Sequence, residues 1–198
     1  MEIFYHGTYR LFDQFDSAFL GQGEGKVKFG HGIYVTSSYA TAALYAAKAG
    51  KRNNVSDYYV YTVEVPDVTP QNHLFSSRPV HKEIVKLTEE ALKVAIPEEA
   101  QGLGKLFRKY VGNLITGHQG TIRQMTGKAE FEAEAAASAF LDSIGIKYLI
   151  WPHSQTKPDG PTNRAVLNAS NIKILKIERV EVDESNKLIE GSEKVINL

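Results

Sequence analysis

The chain has 198 residues, no cysteine, and 23 basic against 23 acidic side chains, for a formal net charge of zero. That length suits one domain over residues 1–198 whose core needs no metal or crosslink; the missing cysteines exclude a disulfide framework or thiolate zinc site, and the charge balance argues against a uniformly basic nucleic-acid binder. No apolar run approaches the ~18 residues of a membrane span and no basic-then-apolar leader opens the sequence, so a soluble, unprocessed, cytoplasmic protein without a membrane partner is expected.

Residues 2–6 read as a short buried strand with His6 at its end, followed by Gly7 and Thr8. Residues 11–31 read as a long glycine-containing loop anchored by Phe12, Phe15 and Phe19. A second strand, 33–36, is entered through Gly30-His31-Gly32 and leaves into Ser37-Ser38, hydroxyls suited to a helix start. The alanine-rich stretch 38–49 predicts a helix carrying Tyr45, with Gly50 in the place of a left-handed cap. Tyr58 to Val65 is dense in aromatic and β-branched residues and stops at Pro66, a strand signature.

The middle third has helical periodicity. Ile84, Leu87, Ala91 and Val94 share one face, and Leu103, Leu106, Phe107, Tyr110 and Leu114 share another. Gly117, Gly120 and Gly127 punctuate a loop, and 129–144 reads as a further helix. Strands return over 147–151, 164–167, 172–182 and 194–198. Strands at both ends with helices between predict an α+β domain and not a βαβ repeat.

Charge is unevenly spread. Residues 25–56 hold no acid but Lys26, Lys28, Lys48, Lys51 and Arg52, and residues 101–129 hold none but Lys105, Arg108, Lys109, Arg123 and Lys128. Acids gather at Glu130, Glu132 and Glu134. Two readings stand: solvated basic faces, or a positive field around a cleft that handles a dinucleotide pyrophosphate or a nucleic-acid acceptor.

His6-Gly7-Thr8 after one strand, Gly30-His31-Gly32-Ile33-Tyr34 opening the next, and Tyr45 on the following helix together resemble the ADP-ribosyltransferases of the diphtheria-toxin and poly(ADP-ribose) polymerase type. That group's site is a His, a Tyr and usually a Glu on three strands. The likeness extends to 60–67, 145–150 and 165–173, about two thirds of the chain. It implies a split antiparallel sheet core with an inserted helical region, and NAD+ as co-substrate with no metal.

The resemblance carries onto His6 an imidazole that donates to a ribose hydroxyl, and onto Tyr34 and Tyr45 the two aromatics that sandwich the nicotinamide ring. Gly7 is suited to hold the carboxamide, because its missing Cβ lets a ligand approach the chain. Thr8 and Ser37 complete the cofactor-binding set. Registering Asn171-Ile172-Lys173 on the family's closing strand puts the usual Glu at Asn163, so the catalytic set becomes His6, Tyr34 and Asn163. An amide there can hydrogen-bond a hydroxyl but cannot supply charge or act as a base. The family's carboxamide-gripping hydroxyl appears as Ala42, with Thr41 adjacent.

The acceptor surface is expected from the loop 153–162 with Gln155 and Lys157, from Trp151 and Arg164, and from Lys105, Arg108, Lys109 and Arg123. Three functions follow. The first is a mono-ADP-ribosyltransferase acting on a macromolecule, RNA or DNA ahead of protein, as a bacterial or phage toxin, defence or host-modifying effector with an antitoxin or inhibitor partner. The second is a catalytically inactive module that binds NAD or ADP-ribose, and the third an NAD glycohydrolase or RNA-phosphate-processing relative. The first is preferred, since His6, Tyr34 and Tyr45 together would be needless in a scaffold; chain elongation is not expected without the Glu.

Overall fold

Short runs of aromatic and β-branched residues pair here into a sheet whose two halves barely touch. The protein is described by a computed structural model covering residues 1–16, 29–118, 127–154 and 156–197. In chain order its elements are β1 (Glu2–Thr8), β2 (Ile33–Thr36), α1 (Tyr39–Arg52), β3 (Tyr58–Val65), β4 (His73–Phe75), α2 (Lys82–Leu92), α3 (Glu98–Gln101), α4 (Gly104–Ile115), α5 (Gly127–Ser143), β5 (Tyr148–Ser154), β6 (Lys157–Val166), β7 (Lys173–Val180) and β8 (Lys194–Val195). The strand order is β4-β5-β6-β2-β1-β3-β7-β8. Neighbours are antiparallel except β4 and β5.

β1 pairs with β3 along its whole length, from Glu2↔Val65 to Thr8↔Tyr59. With β2 it makes one pair, Tyr5↔Thr36. The sheet is therefore split between β1 and β2, as the resemblance implies, into a half of β4, β5, β6 and β2 and a half of β1, β3, β7 and β8. The fold is α+β, with α2 to α5 inserted between β4 and β5.

On one face, Ala42, Ala43, Ala46 and Ala47 of α1 lie flat on Tyr58, Val60 and Val180, small side chains that let helix and sheet approach closely. The inserted helices cover the other half of that face through Leu74, Ile84, Phe107, Leu141, Leu149, Trp151 and Ala165. The opposite face packs Phe4, Val35, Tyr61, Tyr148, Ile150 and Val166 beneath Phe12, Phe15 and Ile172. Phe19 lies outside the described residues.

Two local expectations are corrected, and one strand is new. Gly50 is not a cap: α1 continues to Arg52, and a Cβ at Gly50 would meet the Tyr58 ring at 2.5 Å, so the glycine seats the helix on β3. Residues 153–162 are not a loop between strands, since β5 and β6 extend into a hairpin closed by Ser154↔Lys157. The three-residue strand β4 has no signal in the sequence; it is held by parallel pairing with β5.

Candidate functional site

His6, Tyr34 and Asn163 lie on the neighbouring strands β1, β2 and β6 at the split. Side chains alternate across a strand, so Tyr34 shares a face with Thr36 and its partner Tyr5, whereas His6 shares the opposite face with Phe4 and Tyr61. The two residues meet through the backbone: His6 Nδ1 lies 2.8 Å from the Tyr34 carbonyl oxygen. A carbonyl can only accept, so Nδ1 carries the proton. Burial holds the imidazole below its ordinary range, partly opposed by this hydrogen bond. A neutral ring then offers a lone pair at Nε2, so His6 would accept from a ribose hydroxyl instead of donating to one, reversing the polarity expected from the resemblance. Its ring also meets Phe15 edge-on at 5.1 Å.

The lowered pKa fixes the sign of a pH effect. Because folded His6 binds its proton more weakly than a free imidazole of pKa 6.5, protonation favours the unfolded chain. Its contribution is full above that pH and is lost as pH falls below it. The His73 ring, also lowered by burial, acts in the same direction. Thermal denaturation across pH 5 to 8 is expected to show stability falling on the acid side. His6→Gln should flatten that fall, and an unaltered profile would mean that His6 is not held neutral.

Tyr34 packs against Trp151 with ring centres 5.2 Å apart and donates its hydroxyl to the Gly30 carbonyl at 2.7 Å. Burial, against the Arg108 charge, pushes its phenol up to about 12. Gly30 has φ +101°, and a Cβ there would strike Leu149 Cδ1 at 2.1 Å, so only glycine can turn the chain into β2. Trp151 is stacked on Phe29 at 4.4 Å and buried, which removes it from an acceptor surface.

Gly7 lies on the face of Tyr34, at the start of the seam. A Cβ there would sit 1.8 Å from the Ala42 carbonyl oxygen of α1. Helix contact by itself therefore requires a glycine here, whether or not a ligand also approaches it. Tyr45 lies about one turn beyond Ala42 on α1 and is 45% exposed. Ser38 caps α1 by accepting from the Thr41 amide, Ser37 is exposed with its amide donating to the Thr162 carbonyl, and the Thr8 hydroxyl accepts from the Arg10 amide.

Asn163 pairs with Thr36 on one side and Trp151 on the other, which puts it on the face of Tyr34. It is buried, and its Oδ1 has no hydrogen-bond partner among the described residues. Leaving such an atom unsatisfied costs about 1–3 kcal/mol.

The acceptor residues are dispersed. Arg164, next to Asn163, points to the other face, where both terminal nitrogens donate to Glu2 and its guanidinium lies 4.1 Å over the Phe4 ring. Burial would raise the Glu2 carboxyl, but the Arg164 hydrogen bond and charge hold it below its ordinary range. Arg108 is buried against Glu134, with Nη2 donating to Oε1 at 3.0 Å. Burial holds the Lys109 ammonium below its ordinary range, and Lys128 pairs with Glu132, so α5 supplies counter-charges to Arg108 and Lys128. Lys105 stays exposed, Lys157 pairs with Ser154 in the hairpin, and Arg123, Gln155, Lys26 and Lys28 lie outside the described residues. Reading sequence alone missed Glu2 and Glu134 as partners of these arginines; the run Glu130, Glu132, Glu134 was the available signal.

Among the described residues no group of three or more metal-ligating side chains occurs, and no helix is long and apolar enough to cross a membrane. A split sheet with a Tyr-bearing strand and helix at its seam defines an ADP-ribosyltransferase-like domain. The chain belongs to the family described as ADP-ribosyltransferase in polyvalent proteins, whose model matches residues 1–174. No curated protein and no solved structure matches it.

Proposed function

We propose that this chain is a mono-ADP-ribosyltransferase that takes ADP-ribose from NAD+ and places it on a macromolecular acceptor. The observation that carries the reading is Asn163: a buried amide oxygen without a partner, on the face and beside the strand that present Tyr34. A ribose hydroxyl donating to that oxygen would satisfy it. Tyr45 supplies the open ring on which a nicotinamide stacks, and His6 Nε2 an acceptor at the seam. As nicotinamide leaves neutral, the ribose gains oxocarbenium character; an amide orients that ribose without the charge needed for repeated elongation, hence single transfer. The family supports the reaction class. Arg108 and Lys128 pair with carboxylates, while Lys105 stays exposed, and the acceptor is put as a nucleic acid slightly ahead of a protein on the basic stretches of the sequence.

Incubating the protein with adenine-labelled NAD+ and, separately, RNA, DNA and lysate protein is expected to label one fraction. Asn163→Ala should lower transfer by about tenfold or more, since one hydrogen bond at the reacting sugar is lost. Tyr45→Ala should weaken NAD+ binding by about 1–3 kcal/mol by calorimetry. Full transfer by Asn163→Ala, or an unchanged dissociation constant for Tyr45→Ala, would remove that residue from the site.

A further inference from the structure

We propose that His153 takes the proton from the acceptor nucleophile, the task for which position 163 lacks a carboxylate. This rests on the NAD+-dependent reading above. β5 brings Trp151 opposite Asn163, and the hairpin register shifts between Pro152 and Ser154, so His153 sits at an irregularity of the kind that re-aims a side chain. Its direction is fixed from α1. His153 Nε2 lies 3.4 Å from Thr41 Oγ1, on the face that holds Asn163 and Tyr34, and the residue is exposed. An imidazole is thereby joined to the helix that carries Tyr45, two residues along β5 from the partner of Asn163, and open to a macromolecule. The Thr41 hydroxyl shows that an oxygen fits beside this nitrogen.

Other titratable groups of the region are committed. His6 donates its Nδ1 proton to the Tyr34 carbonyl, and its Nε2 is assigned to a ribose hydroxyl in the reading above; Glu2 accepts from Arg164, and Glu134 is buried against Arg108. Glu178 accepts from the Tyr39 hydroxyl and pairs with Lys176.

The step balances as follows. The C1′–N bond to nicotinamide breaks and its electron pair goes to the ring nitrogen, discharging the pyridinium. The acceptor oxygen bonds to C1′, and its proton passes to His153 Nε2, which later returns it to solvent. Water serves as the acceptor when no other is present.

Nicotinamide release from NAD+ in buffer, with and without sodium azide, tests this, because azide is a nucleophile with no proton to remove. His153→Ala is expected to bind NAD+ like the parent and to release nicotinamide about 100-fold more slowly, the low end of general-base effects. Azide should restore release in the variant, with ADP-ribosyl azide as product, and change the parent little. His153→Gln, which keeps a polar group near Thr41, should behave in the same way. An unimpaired His153→Ala, or a slow variant that azide does not rescue, overturns the assignment of His153 and leaves the underlying reading intact. A parent that releases no nicotinamide in any acceptor mixture overturns that reading and this proposal with it.

Discussion

Alanine in place of Gly7 is expected to lower stability by about 3 kcal/mol, the upper range for overpacking, which corresponds to about 10 °C in Tm for a chain of this size. The new Cβ would sit 1.8 Å from the Ala42 carbonyl oxygen, and backbone cannot swing away as a side chain can. Relief requires α1 to lift from β1, breaking the fit of Ala43, Ala46 and Ala47 on β3 and displacing Tyr45 from the seam. Calorimetry with an NAD+ titration separates the two explanations for this glycine. A variant that melts like the parent but no longer binds NAD+ would show that position 7 serves ligand approach instead.

Glu134→Ala is expected to cost about 3–5 kcal/mol, because it strips the counter-charge from a buried guanidinium. Arg108 and Glu134 are each under 5% exposed at the side chain and lie within the inserted helices. The consequence reaches the seam. The Arg108 side chain lies 3.2 Å from where a Gly30 Cβ would be, and the Gly30 carbonyl accepts from the Tyr34 hydroxyl. Chemical denaturation should show the loss, together with weaker NAD+ binding. The double substitution Arg108→Met, Glu134→Leu should recover most of the stability, since apolar groups of similar volume avoid the desolvation penalty. A single variant as stable as the parent would mean that water reaches the pair. Lys128–Glu132 and Lys86–Glu90, exposed pairs one helical turn apart, should contribute little.

What the sequence made legible is local. β3 appears at its expected residues because the dense aromatic and β-branched run and the Pro66 stop directly after it are both local signals, and Gly30-His31-Gly32-Ile33-Tyr34 marks the turn into β2 because its glycines face backbone and Leu149 at close range. What remained hidden depends on pairs distant along the chain. Arg164 beside Asn163 reads as an acceptor cation until Glu2, 162 residues away, is brought to its guanidinium by β1 lying two strands from β6. Arg108 reads as part of a basic surface until α5 folds back on α4. The same holds for chemistry: the position of Asn163 follows from resemblance, but the missing partner of its oxygen exists only once β2 and β5 flank it. His153 reads as one polar residue in a connection because nothing near it in sequence anticipates Thr41.

The seam has a consequence for assembly. Along the chain the path crosses from one half-sheet to the other between β1 and β2, again before β3, again before β4, and once more before β7. Neither half is a contiguous stretch of polypeptide. One cannot close until β6 is made, and the other waits for β7, so folding is governed by long loop closures and is slow relative to domains of local topology. A nascent chain or early fragment therefore carries His6, Tyr34 and Tyr45 with no cleft in which to use them.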